Sequence, residues 1–281
     1  MFMKISRRSL LAGGVGVPLV RAWARVRGLK VGVTDWNLHL TGKVEAVETA
    51  ARLRFDGVQV SLGRKPIDGK LPLDDTVIQQ QYLTASKIHN IPIDGTCLDI
   101  LHVNGLKNDK LGAKWVADAI PITKRLNDRV ILLPFFGKCA LKTQQEMDYV
   151  GDVLREIAPE AEKAGVILGL EDTISAEDNV RIMERSQSPV VLTYYDVGNS
   201  TQGGFDVLKE IHWLGKDRIC QFHLKDNPQY LGEGKIDFPA VVKAIEDVGF
   251  HGFANLETDS PSNAVEDDLS KNLRFVRRLL G

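Results

Sequence analysis

The sequence predicts one α/β domain, a closed (β/α)8 barrel over residues 25–281, and three observations carry that expectation. Continuous apolar, β-branched runs alternate with stretches whose apolar residues recur at i, i+3, i+4 and i+7, and the alternation repeats eight times. Runs of the first kind suit parallel strands buried on both faces; the second kind suits amphipathic helices crossing between them. The length, 281 residues with 43% hydrophobic, matches one barrel of about 250 residues without a second domain. The first turn, Asp35-Trp36-Asn37-Leu38-His39, lacks the GxGxxG spacing of an open dinucleotide-binding sheet.

The elements follow in order. LKVGVTD (29–35) reads as the first strand, and residues 44–53 carry the spacing of an amphipathic helix. DGVQVSL (56–62) is the second strand, with a helix over 75–89. IPIDGTCLD (91–99) precedes a helix over 110–126, and RVILLPFF (129–136), an almost unbroken apolar run, precedes one over 144–164. VILGLED (166–172) leads to a helix over 176–185, and VVLTYYD (190–196) to one over 205–214. RICQFHLKD (218–226) leads to a helix over 238–248, and GFANLET (252–258) to the last, over 265–280.

Residues 1–24 read as a leader. Lys4, Arg7 and Arg8 form a basic start, residues 10–20 are apolar but too short to span a bilayer, and Ala22-Trp23-Ala24 offers an A-x-A cleavage site. Ser6-Arg7-Arg8-Ser9-Leu10-Leu11 resembles the twin-arginine export signal. The expectation is therefore an exported protein, periplasmic or extracellular, that meets the twin-arginine machinery and has no stable membrane span. The competing reading is a frayed N-terminal helix. A net charge of −1 leaves no electrostatic footprint for nucleic acid or an anionic membrane. Cys97, Cys139 and Cys220 are odd in number, far apart and without a CxxC. They predict buried small hydrophobes, not a zinc knuckle or a disulfide framework.

Four of the apolar runs end in one ionisable residue: Glu171, Asp196, His223 and Glu257. Their separations of 25, 27 and 34 residues are each about one βα unit. All four side chains are thus expected on one face, at the C-terminal ends of strands five to eight, where barrels carry their chemistry. A single carboxylate there is as well explained as a helix N-cap; four in succession are not. Three carboxylates and one neutral imidazole suit a divalent cation, Mn²⁺ first, with Mg²⁺, Co²⁺ or Zn²⁺ as alternatives. No thiolate takes part, so softness selects little.

Those residues also carry a resemblance. Glu171-Asp172-Thr173, Tyr195-Asp196-Val197-Gly198-Asn199, Phe222-His223-Leu224-Lys225-Asp226, Gly232-Glu233-Gly234-Lys235-Ile236-Asp237-Phe238 and Leu256-Glu257-Thr258 are similar to the sugar phosphate isomerase/epimerase family, the xylose isomerase-like TIM barrels. The series is closest to the L-ribulose/L-xylulose 5-phosphate 3-epimerase type. The match is good from about residue 166 onward and architectural before it. The resemblance implies a small sugar substrate, a divalent cation at Glu171, Asp196, His223 and Glu257, and proton transfer through an enediolate. Glu171 and Glu257 would be the catalytic pair on opposite faces of the sugar. Further copies of the same chain are an expected partner; nucleic acid is not.

Around that set, Lys225 could orient substrate, or form a structural ion pair with Asp226 or Asp237. Asn199 stands where epimerases of unphosphorylated ketoses carry a histidine, and Gln229 where they carry an arginine. Trp36 either stacks on a sugar face or packs in the core. His102 and His39 either line the mouth or are plain loop histidines, and Gly232 and Gly234 either shape a loop over the site or make an ordinary turn. Three other functions use the same barrel. A metal-dependent lyase or hydrolase of an oxidised sugar or polyol would need the same cation. An apurinic endonuclease would need more ligands than six histidines and a −1 charge suggest. A non-catalytic sugar-binding barrel would not need paired glutamates.

Overall fold

Eight parallel strands pair in sequence order, and the last pairs with the first to close the barrel. The structure is a computed structural model that describes residues 28–281; the leader expected over 1–24 lies outside the described residues. The order is β1 (Leu29–Thr34), α1 (Glu45–Arg52), β2 (Gly57–Ser61), α2 (Thr76–His89), β3 (Ile93–Cys97), α3 (Lys110–Arg125), β4 (Val130–Pro134), α4 (Gln144–Ala164), β5 (Ile167–Glu171), α5 (Ala176–Ser186), β6 (Val191–Asp196), α6 (Val197–Gln202), α7 (Val207–Leu214), β7 (Ile219–Leu224), α8 (Phe238–Asp247), β8 (Gly252–Leu256) and α9 (Val265–Leu280). The eight βα units stand where the periodicity put them. Among the described residues no helix is long and apolar enough to cross a membrane.

Local chemistry starts and stops the helices. Asp75 accepts from the amides of Val77 and Ile78, and Thr143 and Glu146 form a reciprocal capping box at the head of α4. Ser175, Asp206 and Asp237 cap α5, α7 and α8 in the same way. Each such cap is worth about 0.5–2 kcal/mol. Asn90, Gly165 and Gln187 end their helices in the left-handed region. The apolar faces of the helices join Val31, Val60, Leu168 and Ile219 of the strands in one continuous buried cluster between sheet and helix ring.

The barrel interior is different. A second, small cluster of Cys97, Leu132 and Tyr194 packs there. Beside it lies a buried polar group of Gln59, Asp94, Gln221 and Asn255, linked by hydrogen bonds. Gly32 of β1 makes room for it. A Cβ at that position would lie 2.0 Å from Asn255 Oδ1 and 2.1 Å from Asp94 Oδ2. The ladder is interrupted twice near this layer, between Val58 and Gln59 in the β2–β3 pairing and between Thr193 and Tyr194 in β6–β7. Such bulges re-aim side chains.

Three details depart from expectation. Residues 197–202 form a helix, α6, that the sequence did not announce, because VGNSTQ is short and rich in poor helix formers. It forms because Asp196 caps it, accepting from the Asn199 amide. Strands β3, β7 and β8 each end two residues earlier than read, so Asp99, Lys225 and Glu257 lie beyond them at the barrel's mouth. Cys97 and Cys139 are buried as expected, whereas Cys220 is only half-buried.

Candidate metal centre and active-site cleft

Glu171 is the last residue of β5, Asp196 the last of β6, His223 lies near the end of β7, and Glu257 follows β8 directly. The closed barrel therefore brings all four to one place. Each offers one ligand atom, and those atoms lie within 4.8 Å of one another. Glu171, Asp196 and His223 are buried and Glu257 is half-buried. His223 turns Nδ1 toward the carboxylates, 2.9 Å from Glu171 Oε1, 3.4 Å from Glu257 Oε2 and 3.7 Å from Asp196 Oδ2. Its other ring nitrogen, Nε2, lies 2.8 Å from Gln59 Oε1. Asp196 uses Oδ1 on the Asn199 amide at 2.7 Å, so Oδ2 is the oxygen that faces the group. Asp196 thus caps α6 with one oxygen and leaves the other in the cluster. Oxygen-rich donors with a single imidazole, converging from four strands, fit a divalent cation.

The charges interlock. Lys225 Nζ lies 2.8 Å from Asp196 Oδ2 and 2.5 Å from Glu257 Oε2. Its partners are these two carboxylates, not Asp226 or Asp237. Asp226 accepts instead from the amides of Gly234 and Lys235, pinning its own loop, while Asp237 caps α8. Burial disfavours an ionised Glu257, but the charges of Lys225 and His223 outweigh it and hold the carboxyl well below the usual range. Burial wins at Asp196, raising it to about 7 against the lowering by Lys225. At His223 burial pulls downward, yet Glu257 and Glu171 raise the imidazole to about 10. These two opposed shifts mark a site assembled around charge, as functional sites are.

A cleft of about 430 Å³ opens beside the group, lined by Glu171, Glu257, Lys225 and Asn199 together with Trp36, His102, Arg64 and Phe136. Trp36 is half-buried and donates its Nε1–H to Glu257 Oε1 at 3.0 Å. It lines the cleft and also packs against the inner cluster of Cys97, Leu132 and Tyr194. Asn199 reaches Glu171 Oε1 through Nδ2 at 3.5 Å. His102 stacks on Phe136, ring centroids 6.0 Å apart, and burial and the Arg64 charge lower its pKa. His39 is exposed and does not line the cleft, so the mouth-lining reading fails for it and holds for His102. Gly232, Gly234 and Gln229 do not line it either. The Gly-rich stretch is a turn: Gly232 has φ +81°, and a Cβ there would meet the Phe275 ring at 2.4 Å. A larger groove of about 770 Å³ runs along α2 from Gln80 to Ile88, outside the barrel, and holds none of the strand-end ionisable residues.

Sequence reasoning missed Gln59, Arg64 and Asp99. The last accepts from Ser61 Oγ at the cleft wall. For Arg64 no periodic signal exists, since it sits in a loop. For Gln59 the signal was a lone amide inside an otherwise apolar strand.

The model of the xylose isomerase-like TIM barrel family matches residues 47–279. A 2-epi-5-epi-valiolone 7-phosphate 2-epimerase of Actinoplanes sp. is 26% identical over 215 residues, which are 72% of this chain and 74% of that protein. Among solved structures, a D-allulose 3-epimerase from Methylomonas sp. in complex with D-allulose superposes with a TM-score of 0.73 at 14% identity, covering 91% of this chain and 98% of its own. An IOLI protein with a bound zinc atom gives 0.72 at 16% identity, covering 89% and 98%. At such identities the two structures speak for the fold.

Proposed function

The chain belongs to the xylose isomerase-like TIM barrel family, and on that premise we propose that it is a metal-dependent epimerase or isomerase of a ketose or related sugar. The observation that carries this reading is the pair of glutamates within one cluster of convergent ligand atoms, facing a sugar-sized cleft. A cation held by Glu171, Asp196, His223 and Glu257 supplies Lewis acidity toward a carbonyl and its neighbouring hydroxyl. Mn²⁺ is the ion we assign, on the mixed oxygen and imidazole set.

The rest is done by side chains. Glu257 is held ionised, with Trp36 on one oxygen and Lys225 on the other, so its orientation is fixed. It accepts the proton from the carbon beside the carbonyl. Glu171 stands on β5, with β6 and β7 between it and β8, and approaches a bound sugar from another side. Entering the step as the carboxylic acid, it gives its own proton to the opposite face of the carbon, which inverts the centre. One carboxyl finishes protonated and the other ionised, and exchange with water resets the pair. Asp196 and His223 take no part in proton transfer. Lys225, Asn199, His102 and Trp36 contact the sugar.

The motif series points to 3-epimerase chemistry of the L-ribulose/L-xylulose 5-phosphate type, and the Actinoplanes relative is named for a phosphorylated substrate. The leader argues for export, where phosphorylated sugars are scarce, so we assign an unphosphorylated ketose or keto-glycoside. Incubated with Mn²⁺ in D₂O and a panel of ketoses, keto-glycosides and ketose phosphates, the protein should exchange one substrate C–H without fragmentation, as read by NMR. Fragmentation, or silence across the panel, overturns the reading. Export has its own check: with Arg7→Lys and Arg8→Lys combined, the chain should stay unprocessed in the cytoplasm, and normal secretion of that variant removes the twin-arginine assignment.

A further inference from the structure

We propose that Gln59 is a positioning residue of the metal centre: its side-chain carbonyl holds the Nε2–H of His223, so that the Nδ1 lone pair is the one presented to the cation. This rests on the reading of His223 as a ligand. Nothing in the family resemblance pointed to residue 59; the geometry does.

His223 is completely buried, so no solvent can hold its second nitrogen, and Gln59 Oε1 lies 2.8 Å from Nε2. Two further donors converge on the same oxygen, Tyr194 OH at 3.2 Å and Asn255 Nδ2 at 3.4 Å. The Asn255 amide nitrogen can only donate, so the atom it meets is the Gln59 carbonyl oxygen, and that oxygen can only accept from Tyr194 OH and His223 Nε2. Asn255 is in turn oriented by Asp94, whose Oδ1 accepts from Nδ2 at 3.1 Å. The remaining oxygens of that pair, Asp94 Oδ2 and Asn255 Oδ1, both converge on Gly32 and have no other partner. A single proton on Asp94 satisfies both as an acid–amide pair, and burial keeps that carboxyl well above its ordinary range. The chain of contacts therefore runs in one sense, from the Asp94 acid through Asn255 to Gln59 and on to His223.

The backbone is arranged for it. Gln59 and Tyr194 sit at the two interruptions of the ladder, and the tilted Tyr194 ring lies 4.5 Å from the imidazole. Gly95, across from Gln59, leaves the amide room: a Cβ there would lie 3.3 Å from it. Gln59 Nε2 is buried with no partner, a cost that an apolar side chain of the same shape would remove. A residue kept only for packing would not carry that cost. Partners of this kind fix which nitrogen of a ligand histidine is free and commonly matter about 10–100-fold in metal affinity.

The test compares Gln59→Met, which keeps the shape and removes the acceptor, with Gln59→Glu, which keeps an acceptor. Zinc titration by calorimetry should show affinity weaker by about 10–100-fold in Gln59→Met and restored to near the native value in Gln59→Glu. Urea unfolding of metal-free Gln59→Met should show some loss of stability, because His223 Nε2, Tyr194 OH and Asn255 Nδ2 lose their acceptor; zinc affinity is therefore compared only between variants shown to be folded. In the zinc-loaded native protein, ¹⁵N NMR should show His223 protonated at Nε2, with a slowly exchanging proton that Gln59→Met shifts and speeds. Unchanged zinc affinity in Gln59→Met overturns the proposal, as does equal weakening in both variants. A native zinc-loaded spectrum with the proton on Nδ1 overturns it even if Gln59→Met does not fold. If the native chain binds no zinc or manganese at all, it is the metal reading that fails.

Discussion

Turnover should fall about 10²–10⁴-fold when Glu257 or Glu171 is changed to Gln, the usual worth of a positioned acid or base. Gln nearly preserves the shape and keeps one of the two acceptor oxygens, so the fold and the cleft should survive. Glu257→Gln is expected to be the more severe of the two for the first proton transfer. Its carboxylate is the one that Lys225 and His223 hold ionised, and Trp36 Nε1 and Lys225 Nζ fix both its oxygens. Deuterium separates the steps. A variant lacking only the returning acid should still wash deuterium slowly into substrate while failing to invert the centre, which is the pattern expected for Glu171→Gln. Because both residues also belong to the ligand cluster, rates are to be compared at metal concentrations where occupancy is shown to be full. Near-native turnover in both variants with metal bound would end the two-carboxylate mechanism and leave Lys225 as the next base to examine.

Chelation should abolish turnover and added Mn²⁺ should restore it, and the affinity of that return should depend steeply on pH. His223 must lose its Nδ1 proton to bind a cation, and its neighbours raise it from 6.5 to about 10. Between pH 7 and 10 the metal-free imidazole is therefore protonated, and each ion bound releases about one proton, so affinity should rise roughly tenfold per pH unit. Below about 7 Asp196 also carries a proton that must leave, and the dependence should steepen. The same shift has the opposite sign for the metal-free fold. A histidine raised from 6.5 contributes stability that is complete below 6.5 and lost as pH rises through about 10. Asp196→Asn should act through occupancy, so excess metal should recover part of its activity, unlike the glutamate variants. Metal analysis of purified protein showing no stoichiometric divalent ion, together with indifference to added ions, would sink the centre.

The strand ends were legible because a buried parallel strand admits almost nothing polar until it stops. An ionisable residue at the close of an apolar run, as at Glu171 and Asp196, is therefore informative once successive strands repeat it. Lys225 stands beside the site, and of its two readings the ion pair with Asp226 or Asp237 does not form; it pairs with Asp196 and Glu257. Ion pairing follows space, and the closed barrel brings Glu257 nearer than Asp237. The polar interior was hidden for a related reason. Gln59, Asp94 and Asn255 are lone polar residues inside apolar strands, and the shifts of register at Gln59 and Tyr194 lie beside the layer where they meet. No periodicity in the sequence encodes a bulge. His39 shows the converse: it follows a strand end, yet its φ of +57° belongs to a loop that leaves the ring exposed.

The closure of β8 on β1 has a consequence for how the molecule comes into being. Trp36 and Glu257 are 221 positions apart and meet only across that seam. Seven of the eight βα units can leave the ribosome with every other ligand already made, and with Trp36 and Lys225 that orient the last one, and the nascent chain still lacks Glu257. The site is thus absent throughout synthesis and appears at one moment, when the final strand inserts. Contacts of such long range are slow to form, so a newly made chain passes through an interval in which it is folded in part and chemically inert. A chain exported as a finished barrel would cross the membrane only after that interval has ended.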